Sequence, residues 1–265
     1  MKHEEEVIYH TYNPKTDFVQ KDFYESVVPI LTDTGKFPQN IIGTGFLMNN
    51  DEGLASYVVT AKHVLRGEKN PNIMLTSKAG TQMQVGTSTL EMFGVKWISH
   101  PDGKDLAAIP LILPKRADEK ILNRRIVRRA ALEPSRIRSG AQIKHIGYGG
   151  KMAGKNKKNG EILGLPGAAF GVYESGTREL IKVRSACLEG DSGSPLFLNR
   201  GKGISIIGVI VRGRPLKKGE FERKKIVGNT ISLPIHHVFK ILNSKQMKQQ
   251  VVKGLEKVEG FNRIV

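Results

Sequence analysis

Residues 190–197 read Gly190-Asp191-Ser192-Gly193-Ser194-Pro195-Leu196-Phe197, and a serine held between two glycines beside an acid calls for a tight turn that ordinary side chains resist. Such a turn presents the Ser192 hydroxyl and lets the amides of Gly190 and Ser192 point at one spot in front of it, as an oxyanion hole does. A serine hydroxyl is a weak nucleophile at neutral pH, so the arrangement needs a histidine base and a group that fixes the histidine's tautomer. Any fold that satisfies this turn must bring distant stretches of chain to it.

Both partners lie upstream. His63 follows the apolar run Tyr57-Val58-Val59-Thr60-Ala61, a strand leading into a short helical turn. Asp105 opens the run Leu106-Ala107-Ala108-Ile109, where a carboxylate becomes partly buried and must find a donor. Asp102 is its rival, but His100-Pro101-Asp102-Gly103 reads as a turn with a solvated carboxylate. Taken singly, His63, Asp105 and Ser192 each have a plain structural reading as a strand-end histidine, a cap and a turn residue. Their order and spacing, with 42 residues from His63 to Asp105 and 87 from Asp105 to Ser192, favour the joint one.

Thr60-Ala61-Lys62-His63-Val64, Asp105-Leu106-Ala107 and Gly190-Asp191-Ser192-Gly193-Ser194-Pro195, in that order, resemble the chymotrypsin/trypsin serine peptidase superfamily over about residues 40–243. The resemblance implies an all-β fold of two antiparallel six-stranded β-barrels with the site in the cleft between them. It also implies a His63, Asp105 and Ser192 triad with the Gly190 and Ser192 amides as oxyanion hole. The substrate pocket would fall on Ala186, Cys187, Val211, Arg212, Gly213 and Gly228. Ala186 stands where relatives that cut after Lys or Arg carry an aspartate, so a small or medium uncharged residue is expected before the scissile bond. No freed amino terminus suits Asp191, which should bond to nearby backbone or to a basic side chain.

Local patterns agree with a β-rich body. Residues 41–60 read as a hairpin that delivers His63, and 140–148, 170–174, 179–185 and 204–211 as further strands bounded by Gly, Pro or polar clusters. Helical periods do not alternate with these runs, which disfavours a parallel α/β sheet. The expected organisation is an extension over 1–19, a first barrel over 20–115, a basic connector over 116–134, a second barrel over 135–235 and a helical end over 236–265. Ile235, Val238, Phe239 and Leu242 after Pro234 set an amphipathic helix, and Met247, Val251, Leu255 and Val258 continue the stripe. His236 and His237 read as helix surface, and no metal or other cofactor is expected.

Cys187 is the single cysteine, so no intrachain disulfide can form and packing alone must hold the fold, which suits a reducing cytoplasm. No leader-like start and no membrane-length apolar run is visible, so a cytoplasmic protein is expected. Lys+Arg 42 against Asp+Glu 25 gives a net charge of +17, with basic runs around 124–129, 151–158 and 212–225. That field leaves open a second reading, a noncatalytic protease-like module holding nucleic acid or an acidic protein. An esterase of the Gly-x-Ser-x-Gly type is disfavoured, because Gly190-Asp191-Ser192-Gly193 has the wrong spacing. Protein or peptide is the expected substrate.

Overall fold

The computed structural model describes residues 9–10, 15, 19, 21–33, 40–49, 55–76, 82–114, 136–149, 166–200, 204–213 and 229–262. The basic runs at 124–129 and 151–158, the 214–225 part of the third and pocket residue Gly228 lie outside them.

Short apolar runs punctuated by turn residues become antiparallel strands in two sheets. The first comprises β2 (Val27–Leu31), β3 (Ile41–Asn49), β4 (Ser56–Thr60), β5 (Asn72–Thr76), β6 (Gln82–Gly86), β7 (Ile98–Ser99) and β8 (Ala107–Leu111), in the order β6-β5-β2-β3-β4-β8-β7. The second comprises β1 (Tyr9–His10), β9 (Gln142–Gly147), β10 (Gly167–Gly176), β11 (Ile181–Ser185), β12 (Pro195–Asn199), β13 (Ile204–Gly213) and β14 (Asn229–Pro234), in the order β1-β10-β11-β14-β13-β12-β9. A further β10–β9 pairing closes six of these strands into a barrel. The architecture is the expected double barrel, except that the first half is a curled sheet whose outer strands do not meet among the described residues.

Alternation of side chains sorts the core. On β11, Ile181 and Val183 are buried while Lys182 and Arg184 are exposed, as a strand with one face in a barrel requires. Leu196 and Leu198 of β12 join them inside the barrel. Phe197 points the other way, into a larger core shared with the first sheet, where its ring meets Phe23 edge-on at 5.3 Å between centroids.

The chain end is helical, as its period predicts. Helix α3 (Ile235–Leu242) starts directly after Pro234 and buries Ile235, Val238, Ile241 and Leu242; helix α4 (Lys245–Asn262) buries Met247, Val251 and Val258. Two shorter helices, α1 (Lys21–Glu25) and α2 (Thr87–Met92), precede β2 and follow β6. A glycine at 254 lets α4 lie close to the chain after β8, since a Cβ there would stand 2.5 Å from the Ile112 Cδ1 and push that side chain aside. The helices thus brace β8, the strand that follows Asp105.

Removing the Phe197 ring leaves a cavity at the junction of the two halves. Phe197→Ala should lower the unfolding free energy by about 3–5 kcal/mol, read from the shift in the urea midpoint at constant slope.

Candidate active site

Strand register explains how the first two site residues meet. β4 and β8 pair antiparallel with Thr60 opposite Ala107, and the next step of the same register places Lys62 opposite Asp105, whose carbonyl accepts the Lys62 N–H at 3.2 Å. Past Thr60 the chain turns into one 3-10 turn, Lys62–Leu65. Asp105 then receives His63 twice, the backbone N–H on Oδ1 at 2.8 Å and the ring Nδ1 on Oδ2 at 2.7 Å. A carboxylate only accepts, so Nδ1 carries the proton and Nε2 is left as the acceptor. The Ser192 hydroxyl lies 2.9 Å from that Nε2. Both the His63 and Asp105 side chains keep 36% exposure and so reach solvent. Burial would raise the Asp105 carboxyl, but the His63 ring and backbone hydrogen bonds, with the His63 and Arg212 charges, outweigh it and hold it below the ordinary carboxylate value. Asp102 sits elsewhere, exposed and paired with Lys240 at 3.1 Å.

The serine turn is held by a residue that sequence reasoning missed. Thr44 of β3 donates its N–H to the Ser192 carbonyl at 2.8 Å and its hydroxyl to the Gly190 carbonyl at 2.7 Å, while the same hydroxyl accepts the Tyr148 N–H at 2.8 Å. Thr60 closes the clamp by bonding the Thr44 carbonyl at 2.7 Å. Gly193, at φ +91°, passes so close that a Cβ would fall 1.9 Å from the Thr44 carbonyl oxygen. Gly190 has φ +99°, and both values lie where glycine is favoured. Among the described residues neither the Gly190 nor the Ser192 amide donates to another group.

Asp191 points away from the cleft and is fully buried. It accepts the Leu188 N–H at 2.7 Å and faces His145 Nε2 at 3.2 Å, both side chains having no exposure. Its expected partners, nearby backbone and a basic side chain, are therefore Leu188 and His145. Behind His145, Ser185 and Thr230 continue a buried polar chain, with hydroxyls 3.2 Å apart. Cys187 is a buried filler seated against Gly213, where a Cβ would meet its sulfur at 2.3 Å. Burial, with the Asp191 charge, pushes its thiol well above the ordinary value. Ala186 is buried beside it. Val211 and Arg212 border a cleft of about 800 Å³ that also contains His63 and Asp105.

Contrary to the sequence expectation, His237 is not on the helix surface. It is buried against His100 because each of their ring nitrogens has a partner. The Arg178 carbonyl 3.0 Å from His237 Nε2 can only accept, so that nitrogen is protonated. His237 Nδ1 then accepts from His100 Nε2 at 3.2 Å, and His100 Nδ1 accepts the Asp102 N–H at 3.1 Å. The relay is complete only when both rings are neutral. Burial, against the pull of the nearby carboxylates, lowers both pKa values, His237 to about 4. Among the described residues no group of three His, Cys, Asp or Glu side chains could hold a metal ion, and no helix is long and apolar enough to cross a membrane.

A double barrel with a histidine, an aspartate and a serine hydrogen-bonded in series at its cleft is the architecture of a trypsin-like hydrolase. A family model described as a trypsin-like peptidase domain matches residues 43–209, and the chain belongs to that family. Among solved structures it is similar to the apo protease domain of MamO from Magnetospirillum magneticum, with a TM-score of 0.55 and 14% identity over 85% of this chain and 100% of that one. It is also similar to Deg5, with a TM-score of 0.50 and 19% identity over 83% of this chain and 88% of the other. No curated protein sequence matches the chain significantly.

Thr44→Val keeps the shape but strands the Gly190 carbonyl and the Tyr148 N–H. The buried Tyr148 N–H alone costs about 1–3 kcal/mol when orphaned, and the half-buried Gly190 carbonyl adds to it, so the variant should unfold at clearly lower urea concentration. The histidine relay predicts a pH effect of definite sign. His237 stays neutral in the fold down to about 4 while an unfolded chain protonates near 6.5, so its contribution is whole above 6.5 and is lost as pH falls through that window. Urea midpoints should fall correspondingly, and less steeply for His237→Gln.

Proposed function

We propose that the protein is a serine endopeptidase in which His63, Asp105 and Ser192 act as the catalytic triad. The observation that carries this reading is the continuous bond series from the Ser192 hydroxyl through both His63 nitrogens to Asp105. His63 Nε2 takes the Ser192 proton as the oxygen attacks the peptide carbonyl carbon, and Asp105 stabilises the imidazolium that forms. The Gly190 and Ser192 amides, with no other partner among the described residues, receive the oxyanion. When the carbon–nitrogen bond breaks, His63 returns the proton to the leaving amine, and an acyl ester remains on Ser192. Water, deprotonated by His63, then attacks the ester carbon; the bond to the Ser192 oxygen breaks, His63 returns the proton to that oxygen, and the acid is released.

Ala186, Cys187, Val211 and Gly213 would line the wall that receives the residue before the scissile bond. Both Ala186 and Cys187 are uncharged and buried, which supports an uncharged side chain there. With one buried cysteine, the fold contains nothing for a reducing cytoplasm to break.

Ser192→Ala should lower kcat/KM on an unfolded protein substrate by about 10⁴- to 10⁶-fold, and Asp105→Asn should lower kcat by about 10⁴-fold. Cleavage by the Ser192→Ala protein at the native rate would remove the peptidase reading.

A further inference from the structure

The cleft beside His63 and Asp105 is lined by five lysine or arginine side chains against three carboxylates. Lys62, Arg66 and Lys69 approach from the 3-10 turn and the residues after it, Lys96 from the stretch between α2 and β7, and Arg212 from β13. Among the described residues none of these five forms an ion pair. The lining acids are Glu68, Glu91 and Asp105. Asp105 is committed to His63, and Glu68 accepts the Asp33 N–H at 3.2 Å. The field is felt at the chemistry itself, since the Arg212 charge helps hold the Asp105 carboxyl down.

A polypeptide whose carbonyl rests against Ser192 sits beside His63, which belongs to these walls, so its flanking residues come within reach of them. Unpaired cations spread over three segments would attract carboxylates and repel lysine and arginine, and a cleft of one sign concentrates its field. Trp97 is the one Phe, Tyr or Trp ring in the lining, which offers nucleic-acid bases little to stack on. We propose that this cleft selects polypeptide segments carrying acidic residues beside the scissile bond, the cations at positions 62, 66, 69, 96 and 212 acting as the specificity-determining groups. The proposal names the substrate class for the peptidase reading above and rests on it.

The test measures binding separately from cleavage. Fluorescent peptides of one sequence carrying Glu, Gln or Lys on either side of an uncharged central residue are titrated into the Ser192→Ala protein, whose cleft is intact whether or not the native chain cuts. The Glu peptide should bind at least about fivefold more tightly than its Gln counterpart, and the Lys peptide more weakly than both. The advantage should shrink as salt rises from about 0.05 to 0.5 M, because the screening length falls well below about 10 Å. In Ser192→Ala carrying Lys69→Glu and Lys96→Glu, the Glu-to-Gln affinity ratio should drop to one or below. Equal binding of the three peptides, or no binding at all, overturns the proposal. Tighter binding of a random DNA duplex than of the Glu peptide, lost in the same charge-reversed variant, also overturns it by giving the cleft to another polyanion. Native protein that binds the Glu peptide but cuts none of the three would instead contradict the peptidase reading while leaving the charge preference standing.

Discussion

Thr44 is the point at which the two halves of the molecule become one site. It lies on β3, which pairs with β4 through Gly45 and Thr60, and β4 pairs with β8 through Thr60 and Ala107. Thr44 within β3, His63 just past the end of β4 and Asp105 just before the start of β8 are therefore brought side by side by this pairing. The first of these grips the serine turn of the other sheet by its backbone and its hydroxyl. Slip any of the three strands by one residue and every side chain changes face, so the distance from the Ser192 hydroxyl to His63 is set by sheet register.

Rigidity at that junction comes from burial, since no disulfide is available. The shared core runs from both sheets to the C-terminal helices, and the closed barrel keeps its own smaller core. The close approach at Gly193 puts its backbone where any side chain would collide with the Thr44 carbonyl, and Gly254 lets α4 rest against the tip of Ile112. The histidine relay at His100 and His237 joins the turn before Asp105 to α3 and the Arg178 carbonyl, so the aspartate is braced from behind by groups that must stay neutral.

Much of this was legible in the residues. The flanked serine, the strand-end His63 and Asp105 at the mouth of an apolar run declare themselves by local chemistry, and the preference for Asp105 over Asp102 follows from which one precedes a buried strand. The C-terminal helices follow from a 3.6-residue stripe. What stayed hidden depends on tertiary neighbours. Thr44 looks like any strand threonine until the serine turn folds onto it. Lys144 alternates as a solvent residue would, yet it is buried with its ammonium 3.9 Å from the Phe170 ring centre and 3.4 Å from the Tyr24 hydroxyl. His145 has no local mark of its role, because Asp191, its partner, lies 46 residues away. The short strands β5, β6 and β14 carry mixed patterns that only pairing resolves.

The central claim is that His63 activates the hydroxyl of Ser192. Its most direct measurement is intact-mass analysis, with peptide mapping, of the protein after reaction with a fluorophosphonate. The account predicts a single adduct on Ser192 that forms readily in the native protein and far more slowly in His63→Ala. An unmodified native protein, or an adduct at another residue, would contradict it.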